Sequence, residues 1–269
     1  MTPSFPISVT ILTKNSQKYL REVLQALKGF DEVVICDTGS QDETVSLAKQ
    51  FTNVAIYHQP FKGFGPTHNI ASKLAKNDWI LSIDSDEVVT RELAIEISQL
   101  QLKSKHVYSF PRRNEYRGKW IKGCGWNPDR QIRLYNKQET HFTNVQVHEA
   151  IIATELTHVH LQSPLKHYSY DQISDFLSKM QSYSTLFAEQ YKGRKSSSFV
   201  KALSHGLFSF FKSYIIKRGF LDGQEGFEIS FYNGSTAFYK YLKLAEINRY
   251  LKKEDSEKCD DDLKKKLSA

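Results

Sequence analysis

The sequence WILSIDSDE, residues 79–87, places acidic side chains directly after a short apolar run. The run is apolar apart from one serine, which is typical of a strand that is buried on both faces. Asp84 and Asp86 follow it at once. Two carboxylates held close together repel each other, and a hard divalent cation such as Mg²⁺ or Mn²⁺ relieves that repulsion. The pattern predicts either a metal site that holds a diphosphate or a solvated acidic turn before the next helix.

Segments of this kind recur through the first hundred residues and alternate with helical patterns. The predicted strands are Ile7–Leu12, Val33–Cys36, Val54–Tyr57 and Trp79–Ile83, and the predicted helices contain Leu20–Leu27, Val45–Phe51 and Ile70–Ala75. Alternating strands and helices indicate βαβ units and a parallel sheet. Such sheets bind ligands at the carboxyl ends of their strands. The predicted binding edge therefore comprises the loops that begin at Thr13, Asp37, His58 and Asp84.

Polar residues fill the loops after the first and second strands. Thr13–Asn15 follows the first strand, and Asp37 is placed after the second to accept hydrogen bonds from a base or a ribose hydroxyl. Ser16 is a predicted N-cap, and Ser40 with Glu43 forms a predicted capping box. An ordinary polar loop and a capped helix start are the alternative interpretations. Three polar loops at one edge of one sheet favour a binding site.

The rest of the chain changes character twice. Residues 101–165 have no helical period and predict strands and loops that complete the sheet, so residues 1–165 form the predicted α/β domain. Residues 166–251 predict a helical, basic extension, and residues 252–269 predict a charged, disordered tail. The N-terminus lacks the pattern of a signal peptide, and no run reaches about 18 apolar residues, so no transmembrane helix is predicted.

The composition limits the partners and the compartment. The net charge is +7 and the pI is about 9.1, which fits nucleic acid, an anionic membrane surface or a phosphorylated substrate. No motif for binding nucleic acid is visible in the sequence, so a basic nucleic-acid-binding protein is only a remote alternative. The three cysteines are Cys36, Cys124 and Cys259. Their odd number and wide spacing argue against disulfides or a zinc site and favour a reducing, cytoplasmic setting.

Three segments together resemble a known family. Ile7–Asn15, Asp37–Thr44 and Trp79–Glu87 resemble the donor-site segments of the family 2 inverting glycosyltransferases. That resemblance implies the GT-A fold, a Rossmann-like mixed sheet that binds nucleotide-diphospho-sugars. It implies Asp86 as the ligand of Mg²⁺ or Mn²⁺. The residues that it implies for binding the nucleotide-sugar are Thr13, Asn15, Asp37, Ser40 and Asp84.

Further segments resemble a subgroup of that family which builds the lipopolysaccharide inner core. They are GCGWNPDRQIRL (residues 123–134), Val147–Glu149 and RGFLDG (residues 218–223). Members of this subgroup are described as β-1,4-glucosyltransferases that act on core heptose. The resemblance implies transfer of a hexose, glucose from UDP-glucose, to core heptose or a similar lipid-linked oligosaccharide. Another donor sugar, or a protein or polyprenyl acceptor, is the alternative within the family.

An inverting transfer needs one carboxylate to deprotonate the acceptor hydroxyl in a single displacement. Asp129 and Glu149 are the two candidates, and the sequence leaves the choice open. His148 is a predicted further contact to the metal or the diphosphate. The residues predicted to contact the acceptor or the diphosphate are Trp126, Arg130 and Arg133. Surface ion pairs are the alternative interpretation of these charged residues.

The segment Tyr191–Leu221 contains seven basic residues and no acidic residue. One helical face of it is apolar, with Val200, Leu203, Leu207, Phe211 and Tyr214. The pattern predicts a helix that lies on an anionic membrane, which would hold the protein peripherally on the inner face of the cytoplasmic membrane. A helix packed on the domain, or an acceptor that carries phosphates, would explain the same residues.

Overall fold

The computed structural model describes residues 5–145 and 149–267. These residues form two compact units, one with residues 5–115, 128–145 and 149–169 and the other with residues 116–127 and 170–267. The first contains every strand of the sheet except the short one at residues 119–120 and is called the sheet unit. The second is mainly helical and is called the helical unit.

The elements up to residue 98 are β1 (Phe5–Thr13), α1 (Gln17–Ala26), β2 (Phe30–Asp37), α2 (Thr44–Ala48), β3 (Val54–His58), α3 (Phe64–Leu74), β4 (Trp79–Asp84), β5 (Glu87–Val89) and α4 (Arg91–Ser98). Strands dominate up to residue 170, with β6 (His106–Tyr116), β7 (Lys119–Trp120), β8 (Arg130–Asn136), β9 (Thr157–His160) and β10 (Leu165–Tyr170). Helices follow, with α5 (Ile173–Tyr191), α6 (Phe199–Phe211), a π-helix (Lys212–Ile216), a 3₁₀-helix (Gly219–Asp222) and α7 (Gly223–Leu267).

The sheet is mixed, with the strand order β3-β2-β1-β4-β8-β6-β10-β5. The first four strands in this order are parallel, and β8 pairs antiparallel with β4. In the parallel part, Thr13 pairs with Asp37 and Asp37 with His58, while Leu12 pairs with Asp84. The predicted GT-A type of mixed α/β sheet is confirmed, and the four predicted loops leave the sheet at one edge.

The helices of the sheet unit cover the sheet with the faces that the periodicity predicts. In α1, Leu20, Val23 and Leu24 are buried in the same apolar cluster as Val9 and Leu81 of the central strands. Full burial of one such side chain contributes about 1.5–3 kcal/mol. Packing of these faces therefore fixes the sheet and, with it, the loops at its carboxyl edge.

Two predicted helix caps form differently from the prediction. Ser16 is at the N-cap of α1, but its side chain makes no capping hydrogen bond. The capping box of Ser40 and Glu43 is wrong, because α2 begins only at Thr44 and Glu43 is at its N-cap. The Ser40 hydroxyl instead donates to Asp37. A hydroxyl that could cap the helix is thus used to shape the loop at the binding edge.

The helical unit packs α5 and α6 against α7. Helices α6 and α7 approach closely at two glycines, because a Cβ atom at Gly206 would lie 2.9 Å from Phe238 Cβ and one at Gly234 would lie 3.0 Å from Phe210 Cβ. The helix α7 extends to Leu267 and so includes residues 252–267 of the predicted tail. Within the described part of the chain, every helix is too short or too polar to cross a membrane.

Candidate active site

Asp37 is the centre of the hydrogen bonds at the carboxyl end of β2. It is 2% exposed. Its Oδ1 accepts from Thr13 Oγ1 at 3.0 Å and Ser40 Oγ at 2.5 Å, and its Oδ2 accepts from the backbone N–H of Gly39 and Ser40. His58 Nδ1 lies 3.3 Å from Oδ2. Burial alone would raise the pKa of Asp37, but the hydrogen bonds from Ser40, Thr13 and Gly39 outweigh it and lower that pKa.

The loops after β1 and β2 are tied to each other. Asn15 has a φ of +52°, and its side-chain Oδ1 accepts from the Gln41 N–H at 2.8 Å. Its own N–H donates to Ser40 Oγ at 2.9 Å, and the Ser16 N–H donates to Thr44 Oγ1 at 2.7 Å. These bonds bring four residues of the predicted nucleotide site together, namely Thr13, Asn15, Asp37 and Ser40. The loops therefore form a single preorganised edge.

Asp84, at the end of β4, belongs to a network of charged side chains. Arg133 Nη2 donates to Asp84 Oδ2 and to Glu87 Oε1, in both cases at 2.7 Å. Arg112 Nη1 reaches the same Glu87 oxygen at 3.1 Å, and Glu87 Oε2 accepts from the Asp84 N–H. Glu87 and Arg133 are both buried. Arg133 thus lies between two carboxylates beside the turn after β4, although burial raises the pKa of Glu87 above its ordinary value.

Arg133 sets the protonation state of Asp84. Desolvation works to raise the pKa of Asp84, but the adjacent Arg133 more than offsets it, so that pKa lies at about 2. His68 lies close enough to Asp84 to feel its charge, yet burial lowers the pKa of His68 to about 4. At neutral pH the site therefore contains an ionised Asp84 and a neutral His68.

Asp86 faces a histidine that lies much later in the sequence, in the last strand of the sheet. Strand β10 pairs antiparallel with β5, and this pairing places His167 beside the turn that contains Asp86. The distance from His167 Nε2 to Asp86 Oδ2 is 3.8 Å, which is too long for a hydrogen bond. His167 Nδ1 and Asn114 Oδ1 are 2.7 Å apart.

The hydrogen bonds around Asn114 determine which nitrogen of His167 carries the proton. Asn114 Nδ2 donates to Asp129 Oδ2 at 3.0 Å, so the Asn114 oxygen must accept from His167 Nδ1–H. Nε2 of the same ring faces Asp86 Oδ2 at 3.8 Å. Asp86 and His167 would together hold a divalent cation at this point. Asp129, Asn114 and His167 thus resemble the hydrogen-bonded supports behind metal-binding histidines.

The protein would supply only part of such a metal site. Among the described residues, no group of three or more His, Cys, Asp and Glu side chains is arranged to hold an ion. Asp86 and His167 are a pair, and the hard cations Mg²⁺ and Mn²⁺ prefer about six ligands, most of them oxygen. The remaining positions are open to the oxygens of a diphosphate and to water.

Asp129, one of the two predicted bases, already accepts hydrogen bonds at both carboxylate oxygens. Its Oδ2 accepts from Arg112 Nε at 2.8 Å and from Asn114, and its Oδ1 accepts from Gln131 Nε2 at 2.9 Å. Burial acts to raise the pKa of Asp129, but Asn114 and Arg112 hold it below its ordinary value. A carboxylate that is paired in this way is a weak base. Through its hydrogen bond with Asn114, Asp129 instead helps to orient His167.

Glu149, the other predicted base, lines a cavity of about 350 Å³ together with Asp84 and Arg133. Arg112 and Arg130 also line it. Within the described residues, the Glu149 carboxylate has neither a hydrogen bond nor an ion pair. Arg133 Nε is buried and likewise has no hydrogen-bond partner among these residues. The cavity therefore offers a carboxylate without a described partner to a polar ligand.

Three further predicted residues make contacts within the protein. Trp126 belongs to the helical unit, where its ring stacks on Tyr170 with centroids 5.5 Å apart, so one face of the expected sugar platform is taken. Arg130 Nη1 donates to the carbonyls of Ser109 and Leu161. Arg133 binds Asp84 and Glu87 through Nη2, which leaves only part of its guanidinium for a diphosphate. His148 lies outside the described residues.

The sequence did not point to three residues that shape this site, namely Glu87, Arg112 and His167. Glu87 could have been singled out, since it directly follows the two aspartates in WILSIDSDE. Arg112 and His167 carry no local signal. Arg112 reaches the site because β6 pairs with β8, and His167 reaches it because β10 pairs with β5.

Known proteins with similar sequences come from bacteria. An uncharacterized glycosyltransferase of Rickettsia felis is 28% identical, over 92% of this chain and 91% of its own. The lipopolysaccharide core biosynthesis glycosyltransferase LpsC of Rhizobium meliloti is 25% identical, over 92% of this chain and 93% of its own. The solved structure of Staphylococcus aureus TarS 1–349 in complex with UDP-GlcNAc covers 93% of this chain and 91% of its own, with 15% identity and a TM-score of 0.45.

The family model described as glycosyl transferase family 2 matches residues 8–158. This range is more than half of the chain, and it includes the loops after β1, β2 and β4 together with Asp129 and Glu149. The matched part is also the part in which the tied loops and the paired carboxylates were found. The chain therefore belongs to glycosyl transferase family 2.

Proposed function

We propose that the protein transfers a hexose from a UDP-hexose, with inversion, to a hydroxyl of a lipid-linked saccharide in a reaction that requires Mg²⁺ or Mn²⁺. The observation that carries this proposal is Asp86 facing Nε2 of His167 at the carboxyl edge of the sheet. The donor glucose and the acceptor core heptose rest on the sequence resemblance. The similarity to LpsC, which is named for lipopolysaccharide core biosynthesis, supports the same acceptor class.

Each group at the edge has a proposed role in donor binding. Thr13, Asn15, Asp37 and Ser40 hold the nucleotide in the tied loops, and Asp84 faces the ribose or the metal. Asp86 and His167 would hold the ion. When bound, the ion neutralises charge that develops on the departing diphosphate. The Arg133 side chain fixes Asp84 in its ionised form.

Glu149 is our proposed base. It lines the cavity that also contains Asp84, and its carboxylate has no partner among the described residues. Asp129 accepts hydrogen bonds from Arg112, Asn114 and Gln131. We therefore assign Asp129 a positioning role, in which it orients His167 through Asn114. In this arrangement Glu149 takes the proton of the acceptor hydroxyl as that oxygen attacks the sugar.

A panel of nucleotide-sugars tests the function. Each of UDP-glucose, UDP-galactose and UDP-GlcNAc is incubated with the protein and Mg²⁺ or Mn²⁺, with and without lipid-linked heptose acceptor, and UDP release is measured. We expect release that depends on the acceptor, is fastest with UDP-glucose and stops in EDTA. Replacing Asp86 by Ala should lower it at least about 10²-fold, since a ligand of the charge-neutralising ion is lost.

Asp78→Ala is the matched control for Asp86→Ala. Asp78 is exposed and directly precedes β4, so it lies at the opposite end of the same strand. We expect this variant to keep the activity of the wild type. An Asp86→Ala protein with normal turnover in Mg²⁺ or Mn²⁺ would contradict the metal proposal. Release from a different donor sugar would contradict only the assignment of glucose.

We further propose that the helical unit contacts an anionic membrane surface. Apolar side chains of α6 are exposed to an unusual degree, with Val200 at 74%, Leu207 at 63% and Phe208 at 60%. Ile215 and Ile216 extend this surface. Exposed apolar residues on a segment rich in Lys and Arg favour a helix that lies in the interface of an anionic bilayer. Such contact would bring a lipid-linked acceptor to the enzyme.

Liposome binding tests the membrane contact. The double variant Val200→Ser/Leu207→Ser should bind vesicles that contain an anionic lipid at least about tenfold more weakly than the wild type, because apolar area no longer enters the bilayer. The control is Ile95→Ser/Ile152→Ser, which removes two exposed apolar side chains of the sheet unit. Equal pelleting of all three proteins, or no pelleting of the wild type at low salt, would rule out this contact.

A further inference from the structure

A second polar cleft lies within the helical unit and has no role in the chemistry described above. Its volume is about 620 Å³, and it lies between α6 and α7. The polar and charged side chains that line it include His205, Ser209, Lys212, Lys217, Asn233 and Lys240. No acidic residue occurs among the described residues that line it. The cleft is therefore a concentration of positive charge beside hydrogen-bond donors.

The three lysines of the cleft have no carboxylate partner among the residues that the structure describes. Within the described residues, Lys212 and Lys217 form no ion pair or side-chain hydrogen bond, and Lys240 only approaches the ring of Phe187. Lys119 and Lys192, in the same unit, bind Glu225 and Glu189. Three amino groups that share one cleft without a carboxylate repel one another, and an anion would relieve that repulsion.

A local change of helix type brings two of these lysines together. The chain forms a π-helix over Lys212–Ile216, and the Lys217 N–H donates to the Lys212 carbonyl at 2.8 Å, five residues back. In an α-helix, residues five apart point about 140° away from each other. The wider turn instead lets both lysines line the same cleft. Single π-helical turns are rare, and they are frequent at functional sites.

The remaining side of the cleft is lined by aromatic side chains. The His205 ring stacks on Tyr241 with centroids 3.9 Å apart. Phe208 lines the cleft and is also one of the exposed apolar residues of α6. An anionic group bound here would thus have apolar side chains beside it, which suits the phosphate of an amphiphile.

We propose that this cleft binds a phosphate group that is carried by an amphiphilic molecule, either a membrane lipid or a phosphorylated saccharide lipid. Lys212, Lys217 and Lys240 supply the charge, while Ser209 and Asn233 supply hydrogen-bonding groups. The site adds a specific contact to the proposed membrane contact. It does not depend on the donor sugar or on the metal.

Calorimetry with inorganic pyrophosphate tests the site without a membrane. The full chain is titrated at low salt in EDTA, which prevents metal-dependent binding at the carboxyl edge of the sheet. The variant Lys212→Gln/Lys217→Gln/Lys240→Gln should bind pyrophosphate at least about tenfold more weakly than the wild type, because three charges are lost from one cleft. The control Lys18→Gln/Lys28→Gln/Lys49→Gln changes the net charge equally, and its three lysines are exposed in the sheet unit.

Two further titrations distinguish the sources of the phosphate. Binding of glucose 6-phosphate, weakened by the cleft variant, would indicate a phosphorylated saccharide. Binding only to phosphatidylcholine vesicles that contain phosphatidic acid, again weakened by the cleft variant, would indicate a lipid headgroup. The proposal is overturned if the cleft variant binds pyrophosphate and these vesicles as tightly as the wild type. It is also overturned if the control variant loses as much affinity, because net charge alone would then explain the binding.

Discussion

Replacing Glu149 by Gln should lower turnover by about 10²–10⁴-fold, which is the usual contribution of a general base. The amide has nearly the same shape as the carboxylate, but it cannot take the proton of the acceptor hydroxyl. Because Glu149 acts on the acceptor in our proposal, the KM for the nucleotide-sugar should change little. Steady-state UDP release, measured over a range of donor concentrations at saturating acceptor, separates the two effects.

Asp129→Asn provides the comparison for the Glu149 variant. Asp129 supports His167 through Asn114, so its loss should weaken metal binding by about 10–100-fold, the usual effect of such outer residues. Excess Mn²⁺ should therefore restore much of the activity of Asp129→Asn and none of that of Glu149→Gln. If Glu149→Gln keeps full turnover while Asp129→Asn loses it at every metal concentration, the two assignments are reversed.

Replacing Arg133 by Met should lower the free energy of unfolding by about 3–5 kcal/mol, as found when one partner of a buried ion pair is removed. Arg133 is 7% exposed and binds both Asp84 and Glu87. Glu87 is 0% exposed, and only the more distant Arg112 would remain to compensate its charge. Urea denaturation of wild type and variant, analysed by linear extrapolation, measures the difference.

A second substitution separates loss of charge balance from loss of packing. Adding Glu87→Gln to Arg133→Met removes the carboxylate that is left without its main partner, and we expect part of the lost stability to return. Arg21→Met is the control, since Arg21 is exposed and, within the described part of the chain, its side chain bonds only to the exposed Gln50. It should cost less than about 1 kcal/mol. Equal stabilities of Arg133→Met and Arg21→Met would show that the buried network contributes little.

The sequence predicted the parallel half of the sheet and the loops at its edge because their signals are local. Asp84 and Asp86 directly follow a strand, and the register with β1 and β2 follows from the hydrophobic runs. The partner of Asp86 could not be predicted in this way. His167 reaches the turn through pairing of β10 with β5, whereas the sequence favoured His148 because it stands next to Glu149.

Competition between polar groups limited the prediction of local contacts. Ser40 and Glu43 have the spacing of a capping box, but Asp37 is buried and accepts the Ser40 hydroxyl more favourably. From the sequence, Arg133 is predicted to bind a diphosphate or an anionic acceptor. In the structure it already donates to Asp84 and Glu87. In the helical unit, a period of 3.6 residues predicts the apolar face of α6. It cannot predict the π-helix, which departs from that period.

The order of elements along the chain also bears on how the active site is assembled during synthesis. Asp86 and the nucleotide loops belong to the first four strands, but His167 belongs to β10, the last strand of the sheet to leave the ribosome. The fragment that ends before β10 has the donor loops without the histidine that faces Asp86. Contacts between residues so distant in sequence form late, because closing the long loop costs entropy. In the function proposed here, metal loading would therefore mark the completion of the sheet, and a nascent chain would hold its sugar donor poorly until that point.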